Sequence, residues 1–443
     1  MVTRPGKLVL RPDVWEQPAM RAALARRDIG AVYRMLTEAG ASQRQIANLT
    51  RQAQSEVSAI VQGRQVTGYA LLTRIADGLG IPRGWMGLAC TEDTSPRSSP
   101  IEERDESAKT RALLAAASVA LFDRPVFGAV PEVPAHPEVP TPLPSRLTVT
   151  DVRALQAMTR QLEGLAKAYG GSADMLSPAA VHAERLLSVP GSEAITRDLT
   201  LAIAELHTVA GWAAFDARQD KTASYHFARA MELSTDADDG YVFSKAAYLA
   251  GVATAERGQY NDGLKLLQIG KISLDSEPST PRTQELASWL AVDSADVLAR
   301  MNHKDAARSA LAVISDTWRA PDADDQADMF WVTALVELTL GRLEAAERLV
   351  ASSMRHWEGT ADRRQAALGR ITLAAIHVHA DEPRAHELAH RAITAVAELR
   401  SVRARDRLAA LAAALESRRG DAAWKLAALA RRVMAESRNA KVG

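Results

Sequence analysis

Nine residues crowded into the stretch Gln43–Arg64 carry the side chains best suited to touching a nucleic acid: Gln43, Arg44, Arg51, Gln52, Gln54, Ser55, Glu56, Ser58 and Arg64. A glutamine amide pairs with an adenine edge through two hydrogen bonds, and a serine hydroxyl tolerates several bases. Arginines neutralise phosphates. Such chemistry needs an element narrow enough to enter a major groove, so the next question is what holds these side chains.

Ser42 followed three residues later by Gln45 is a capping box, which predicts a helix starting at Gln43. Ile46, Ala47 and Leu49 face inward. The chain turns at "TRQA", and a second short helix begins near Gln54, with Val57, Ile60 and Val61 as its buried stripe. Gln54, Ser55, Glu56, Ser58 and Ala59 are left for the outer surface. A base-reading role would place Gln54 and Ser55 at base edges, with Gln43 on the backbone, where a helix N-terminus favours phosphate. Around this pair, helices are expected near 15–27, 28–39, 68–79 and 82–88, with breaks at Gly40, Gly63, Gly68, Gly80 and Pro82.

Charge supports a polyanion partner for this part alone. Residues 1–90 hold 12 Lys+Arg against 6 Asp+Glu, and the remainder 42 against 48, although the whole chain balances to zero. Double-stranded DNA is the expected partner.

"QRQIANLTRQAQSEVSAIVQGR…LLTRIADGLGIP" resembles the Cro/C1-type (XRE family) helix-turn-helix over about residues 28–88. The resemblance implies a DNA-binding head that pairs on a palindromic operator as a homodimer. Two departures fall in the turn. Arg51 stands where the family usually has glycine, and a left-handed arginine costs about 1 kcal/mol. Ala53 stands where a capping Ser or Thr is common, and losing a cap costs about as much again.

The rest of the 443-residue chain reads as helix, with abundant alanine and only 5% aromatics. The polar stretch 91–107 and the proline-bearing tether 123–146 form a linker around one helix at 107–122. From 148 onward a repeat emerges. Gly211 and Gly251 lie 40 apart, as do Ala223 and Gly263, Phe227 and Leu267, and Ala230 and Gly270. Small residues recur at Ala307, Ala346 and Ala385, and apolar ones at Leu311, Val350 and Ala389. Alternating small and large positions are what stacked helical hairpins require.

This pattern resembles tetratricopeptide (TPR) repeats over about 204–435, though with a period near 40 and with His207 where the family has tryptophan. "ALQAMTRQLEGLAKAYGG" (154–171) looks like the middle region of actinomycete regulators of development or secondary metabolism that join such a head to a TPR body. The expected fold is therefore all-α: a helix-turn-helix domain (13–90), the linker (91–146), a helical connector (147–203) and a TPR-like α-solenoid (204–437). By the TPR resemblance, Trp212, Lys245, Tyr248, Trp289, Asp296, Asp328, Trp331, Arg370 and His377 line a concave groove that would take a peptide, a small molecule or a protein effector.

Other constellations point away from catalysis. His386 and His390 flank Glu387 on one helix after His377 and His379, but no HExxH pattern and no cysteine ligand accompany them. Surface histidines are the simpler reading, and Cys90 reads as an ordinary small residue at a domain edge. The single cysteine, the lack of an apolar run near 18 residues and the absence of a signal-peptide pattern suit the cytoplasm. No metal, cofactor or enzymatic activity is expected. The function implied is a sequence-specific transcriptional regulator; the alternative is a protein-interaction scaffold with a weak DNA-anchoring head.

Overall fold

The computed structural model describes residues 13–89, 143–169, 173–317, 322–360, 362–399, 401–418 and 420–439. The helix expected at 107–122, nearly all of the proline-bearing tether and Cys90 lie outside them. Among the described residues every regular element is helical. None of these helices is long and apolar enough to cross a membrane.

The N-terminal unit comprises α1 (Asp13–Glu16), α2 (Pro18–Ala25), α3 (Ile29–Glu38), α4 (Gln43–Thr50), α5 (Gln54–Val61) and α6 (Tyr69–Leu79), then a 3-10 turn at Arg83–Met86. Its core is a continuous apolar cluster that includes Met20, Leu24, Tyr33, Ile46, Val57, Ile60, Leu72 and Ile75. The spacing of Ile46 and Ala47 on α4, and of Val57 and Ile60 on α5, turns one face of each short helix into that core.

The body begins with α7 (Val149–Tyr169), α8 (Ala173–Ala183) and a 3-10 turn at Glu184–Ser188. Twelve helices follow: α9 (Glu193–Asp216), α10 (Asp220–Asp236), α11 (Gly240–Glu256), α12 (Tyr260–Leu274), α13 (Pro281–Arg300), α14 (Lys304–Thr317), α15 (Ala323–Thr339), α16 (Leu343–Trp357), α17 (Arg363–His379), α18 (Ala385–Ala397), α19 (Val402–Glu416) and α20 (Asp421–Asn439). Successive helices pair as six hairpins, which stack in chain order. The expected boundary between connector and repeats at 203/204 falls inside α9, which runs through it without a break.

Two local devices repeat along the stack. The first helix of every hairpin has a side-chain N-cap, at Ser192, Asp239, Thr280, Asp322, Asp362 and Ser401. Inside the first five hairpins the turn passes through a left-handed residue, at Arg218, Gly258, Asn302, Gly341 and Asp381. Glycine holds two of the five positions because it takes this conformation without steric cost. Small residues then let the paired helices approach. A Cβ on Gly211 would lie 2.8 Å from the Phe227 ring, and one on Gly251 would lie 2.9 Å from Leu267. Adding that methyl would overpack the crossing at a cost of about 1–3 kcal/mol.

A buried polar chain fastens α8 to the first hairpin. Ser177 Oγ is 2.8 Å from His226 Nε2, and His226 Nδ1 is 2.9 Å from His207 Nδ1. His207 Nε2 lies 3.1 Å from Glu184, whose other oxygen takes Arg229. One assignment serves the chain with both imidazoles neutral: Ser177 donates to His226 and His226 to His207, which leaves the His207 Nε2 proton facing Glu184. Burial is the largest influence on His207 and holds it below its ordinary value, in keeping with a neutral ring.

The N-terminal unit docks directly on the third hairpin and its neighbour. The Gln268 amide of α12 donates to the Gly87 carbonyl at 2.7 Å and accepts from the Ala89 amide at 3.2 Å. Ala89 is buried in an apolar cluster with Leu267, Leu298 and Ala306. A Cβ on Gly84 would lie 2.0 Å from His303 Nε2, so only glycine admits this approach. Arg21 reaches Asp305 at 3.7 Å while lying 3.7 Å above the Trp85 ring.

Candidate nucleic-acid interface and ligand cavity

The capping box at the start of α4 is complete. Ser42 Oγ accepts from the Gln45 amide at 3.2 Å, and Gln45 Oε1 accepts from the Ser42 amide at 2.9 Å. α4 ends at Arg51, which takes the left-handed conformation (φ 51°, ψ 45°). Three residues, Arg51–Ala53, then separate α4 from α5. Ala53 has no side-chain oxygen with which to cap α5; only the reverse half of the box forms, where Glu56 accepts from the Ala53 amide at 3.2 Å.

Of the nine residues singled out for nucleic-acid contact, Arg44, Arg51, Gln54, Ser55 and Arg64 are exposed. Gln43, Glu56 and Ser58 are half-buried, and Glu56 is engaged in the cap. Gln52 is half-buried and turned toward α3. Its Oε1 accepts from the buried Tyr33 hydroxyl at 2.6 Å, and its Nε2 is buried without a partner. The turn directs this side chain back over α3, onto a buried phenol that needs a hydrogen-bond partner. α5 packs on α3 and α4, whereas α2 and the 3-10 turn meet α14. The exposed glutamine and serine therefore stand on elements other than those that dock on the body.

The body holds a cavity of about 320 Å³ that opens to solvent. The first helix of every hairpin contributes to its wall. α9 supplies Thr208, Trp212 and Asp216; α11 supplies Lys245, Tyr248, Val252 and Glu256; α13 supplies Trp289, Asp293, Asp296 and Arg300. α15 adds Asp328, Trp331 and Leu335, α17 adds Arg364 and Gln365, and α19 adds Arg403 and Arg407.

Long-range ion pairs close the ring of hairpins around this space. Arg364 on α17 meets Asp216 on α9 at 2.8 Å. Arg403 and Arg407 on α19 each reach Glu256 on α11 at 2.6 Å, and Arg218 meets Asp406 at 2.5 Å. Burial alone would raise the Glu256 carboxyl, but the two guanidiniums overcome it and hold the group well below the usual carboxylate range. Arg403 lies 4.9 Å above the Trp212 ring and Arg407 lies 5.6 Å from that of Trp331.

Asp293 differs from the other acids. It accepts from the Tyr248 hydroxyl at 2.8 Å. Burial pushes its carboxyl up to about 7; the Tyr248 bond and Arg403 oppose the rise, while Asp296 and Glu256 reinforce it.

Seven of the nine groove residues line the cavity: Trp212, Lys245, Tyr248, Trp289, Asp296, Asp328 and Trp331. Arg370 and His377 do not. Arg370 lines a separate depression beside Trp357 and lies 3.7 Å from Glu358. His377 is buried and held by Glu382 at 2.6 Å and Glu347 at 3.4 Å. The reason is helical phase. α17 reaches the cavity through its first turn, at Arg364 and Gln365, and at 100° per residue Arg370 and His377 sit about 140° and 120° round from Gln365.

Residues that the local pattern did not mark include Glu256, Asp293, Arg364, Arg403 and Arg407 in the cavity, and Gly84, Gln268 and His303 at the docking contact. His386 and His390 are exposed, and Glu387 between them meets Arg391 at 2.6 Å. Among the described residues no group of three or more His, Cys, Asp or Glu side chains is placed to hold a metal ion. Comparisons with family models, with curated proteins and with solved structures returned no match for this chain.

Proposed function

We propose that this protein is a sequence-specific DNA-binding regulator whose helical body senses a ligand. The observation that carries the reading is α4–turn–α5: two short helices on a tight left-handed turn, the second exposing Gln54 and Ser55, with Arg44, Arg51 and Arg64 exposed nearby. Glutamine and serine on an accessible first turn suit base edges, and the flanking arginines suit phosphates. The Cro/C1-type resemblance of the same residues adds to this reading, as does the TPR-like period of the body. A single head covers little DNA, so we infer a homodimer on a palindromic operator.

The docking contact supplies a route from cavity to head. α13 lines the cavity with Trp289, Asp293, Asp296 and Arg300, while Leu298 on its other face lies in one apolar cluster with Ala89. Directly after α13 comes His303, against Gly84. A ligand that binds differently to two curvatures of the stack would move α13, and with it the head.

Genome-wide capture of bound DNA tests the reading, with wild type compared with the double variant Gln54→Ala/Ser55→Ala. Discrete palindromic sites lost in the variant are expected. Diffuse recovery, unchanged by the substitutions, would overturn it.

A further inference from the structure

We propose that the cavity binds a small amphipathic molecule whose apolar body lies among the tryptophans and whose protonated nitrogen sits at Asp293. The inference rests on reading the cavity as an effector site and names the class of effector.

Size selects a small molecule. A volume of about 320 Å³ falls within the range for small-molecule sites, about 300–1,000 Å³. The aromatic lining of Trp212, Tyr248, Trp289 and Trp331 favours an apolar or aromatic body, and the faces of such rings also attract cations.

Charge selects the sign. Each arginine in the wall already has a carboxylate: Arg300 has Asp296, Arg364 has Asp216, and Arg403 and Arg407 share Glu256. Lys245 has no such pair, but it bears on Glu285, which is not part of the cavity wall. An anion entering the cavity would have to compete for a paired arginine or rely on Lys245 alone. Asp293 is the reverse case. Its partner is a neutral phenol, and no cation among the described residues lies within ion-pair distance. Two more acceptors in the wall are unmet: Asp216 and Asp296 each use one oxygen on an arginine and leave Oδ1 without a hydrogen bond. One donor, Arg364 Nε, is unmet against these. A ligand rich in N–H donors and carrying positive charge therefore satisfies more of this wall than an anion does. The raised Asp293 carboxyl adds to the argument, since a bound cation relieves the cost of ionising it.

Isothermal titration of the full chain with three probes of similar size tests this: 2-phenylethylamine, 2-phenylethanol and 3-phenylpropanoate. The amine is expected to bind about ten-fold more tightly than the alcohol, and the carboxylate more weakly than either. Asp293→Asn keeps the shape and the acceptor for Tyr248 but removes the charge, so it should erase the preference for the amine while leaving alcohol binding unchanged. Tyr248→Phe should retain the preference and serves as a second variant if Asp293→Asn folds poorly. A preference for the carboxylate, equal affinities, an amine preference that survives Asp293→Asn, or no binding of the amine overturns the proposal. These titrations contain no DNA, so their failure leaves the capture result on Gln54 and Ser55 to stand or fall by itself.

Discussion

Replacing Gln268 by leucine should release the N-terminal unit from the body without opening a void. The glutamine makes two hydrogen bonds across the contact, one to the Gly87 carbonyl and one from the Ala89 amide. They are not equivalent. Gly87 O also accepts from Arg27 Nη2 at 3.2 Å, so that carbonyl keeps a partner in the variant and its loss is of the ordinary net size, about 0.5–1.5 kcal/mol. The Ala89 amide belongs to a buried residue and would be left unpaired, which costs about 1–3 kcal/mol. Together they weaken docking by about 2–4 kcal/mol, or about 30- to 1,000-fold in the ratio of docked to released forms. Amide hydrogen exchange reads this directly, because the Ala89 N–H is itself one of the bonds. Faster exchange at Ala89 and through 84–88, with unchanged exchange in α4 and α5, is expected. Protection at Ala89 equal to wild type would refute the account, since the amide would then owe nothing to Gln268.

Three further outcomes follow from the geometry. Ala53→Ser restores the missing cap of α5 and should raise the stability of the N-terminal unit by about 0.5–2 kcal/mol in a melting experiment; no gain would count against the capping argument. Glu256→Gln leaves Arg403 and Arg407 facing each other without a carboxylate, so the body should lose about 3–5 kcal/mol, and an unchanged melt would mean that the clasp contributes nothing. The Asp293 carboxyl, raised to about 7 amid Asp296, Glu256, Tyr248 and Arg403, keeps its proton in the folded chain to higher pH than in the unfolded one. Wild-type stability from this group is therefore lost as pH rises from ~4 to ~7, so Asp293→Asn should gain melting temperature relative to wild type across that window, and a constant difference would argue against a perturbed carboxyl.

What the sequence made legible was whatever is decided within one or two helical turns. The Ser42–Gln45 box, the apolar faces of α4 and α5 and the strain at Arg51 are local, and the structure places each of them. So are the small residues at Gly211 and Gly251, because two helices can cross closely only where a side chain is missing. The N-caps Asp239, Thr280, Asp322, Asp362 and Ser401 were equally local, and they mark the hairpin starts more plainly than the degenerate repeat residues do. The orientation of Gln52 is not legible locally, because it depends on the buried Tyr33 hydroxyl nineteen positions earlier. Arg370 and His377 were misplaced for a longer-range reason: the repeat register was extended along α17, whereas the curvature of the stack brings only its first turn to the cavity.

That curvature also explains why the charged half of the cavity was hidden while its aromatic half was not. Trp212, Tyr248, Trp289 and Trp331 recur on four successive first helices, so a period exposes them. Glu256 and Arg403 are 147 positions apart, and they meet only because the later hairpins come back onto the earlier ones. The same closure gives α13 its two neighbours. One side of it faces the ring of paired charges, and the turn after it carries His303, which lies against Gly84. Helix α13 is packed on both sides, with Asp293 at the cavity and Leu298 in the cluster that holds Ala89. Among the described residues α13 thus touches both the cavity and the docking contact, beside α12 and α14, which also meet the N-terminal unit.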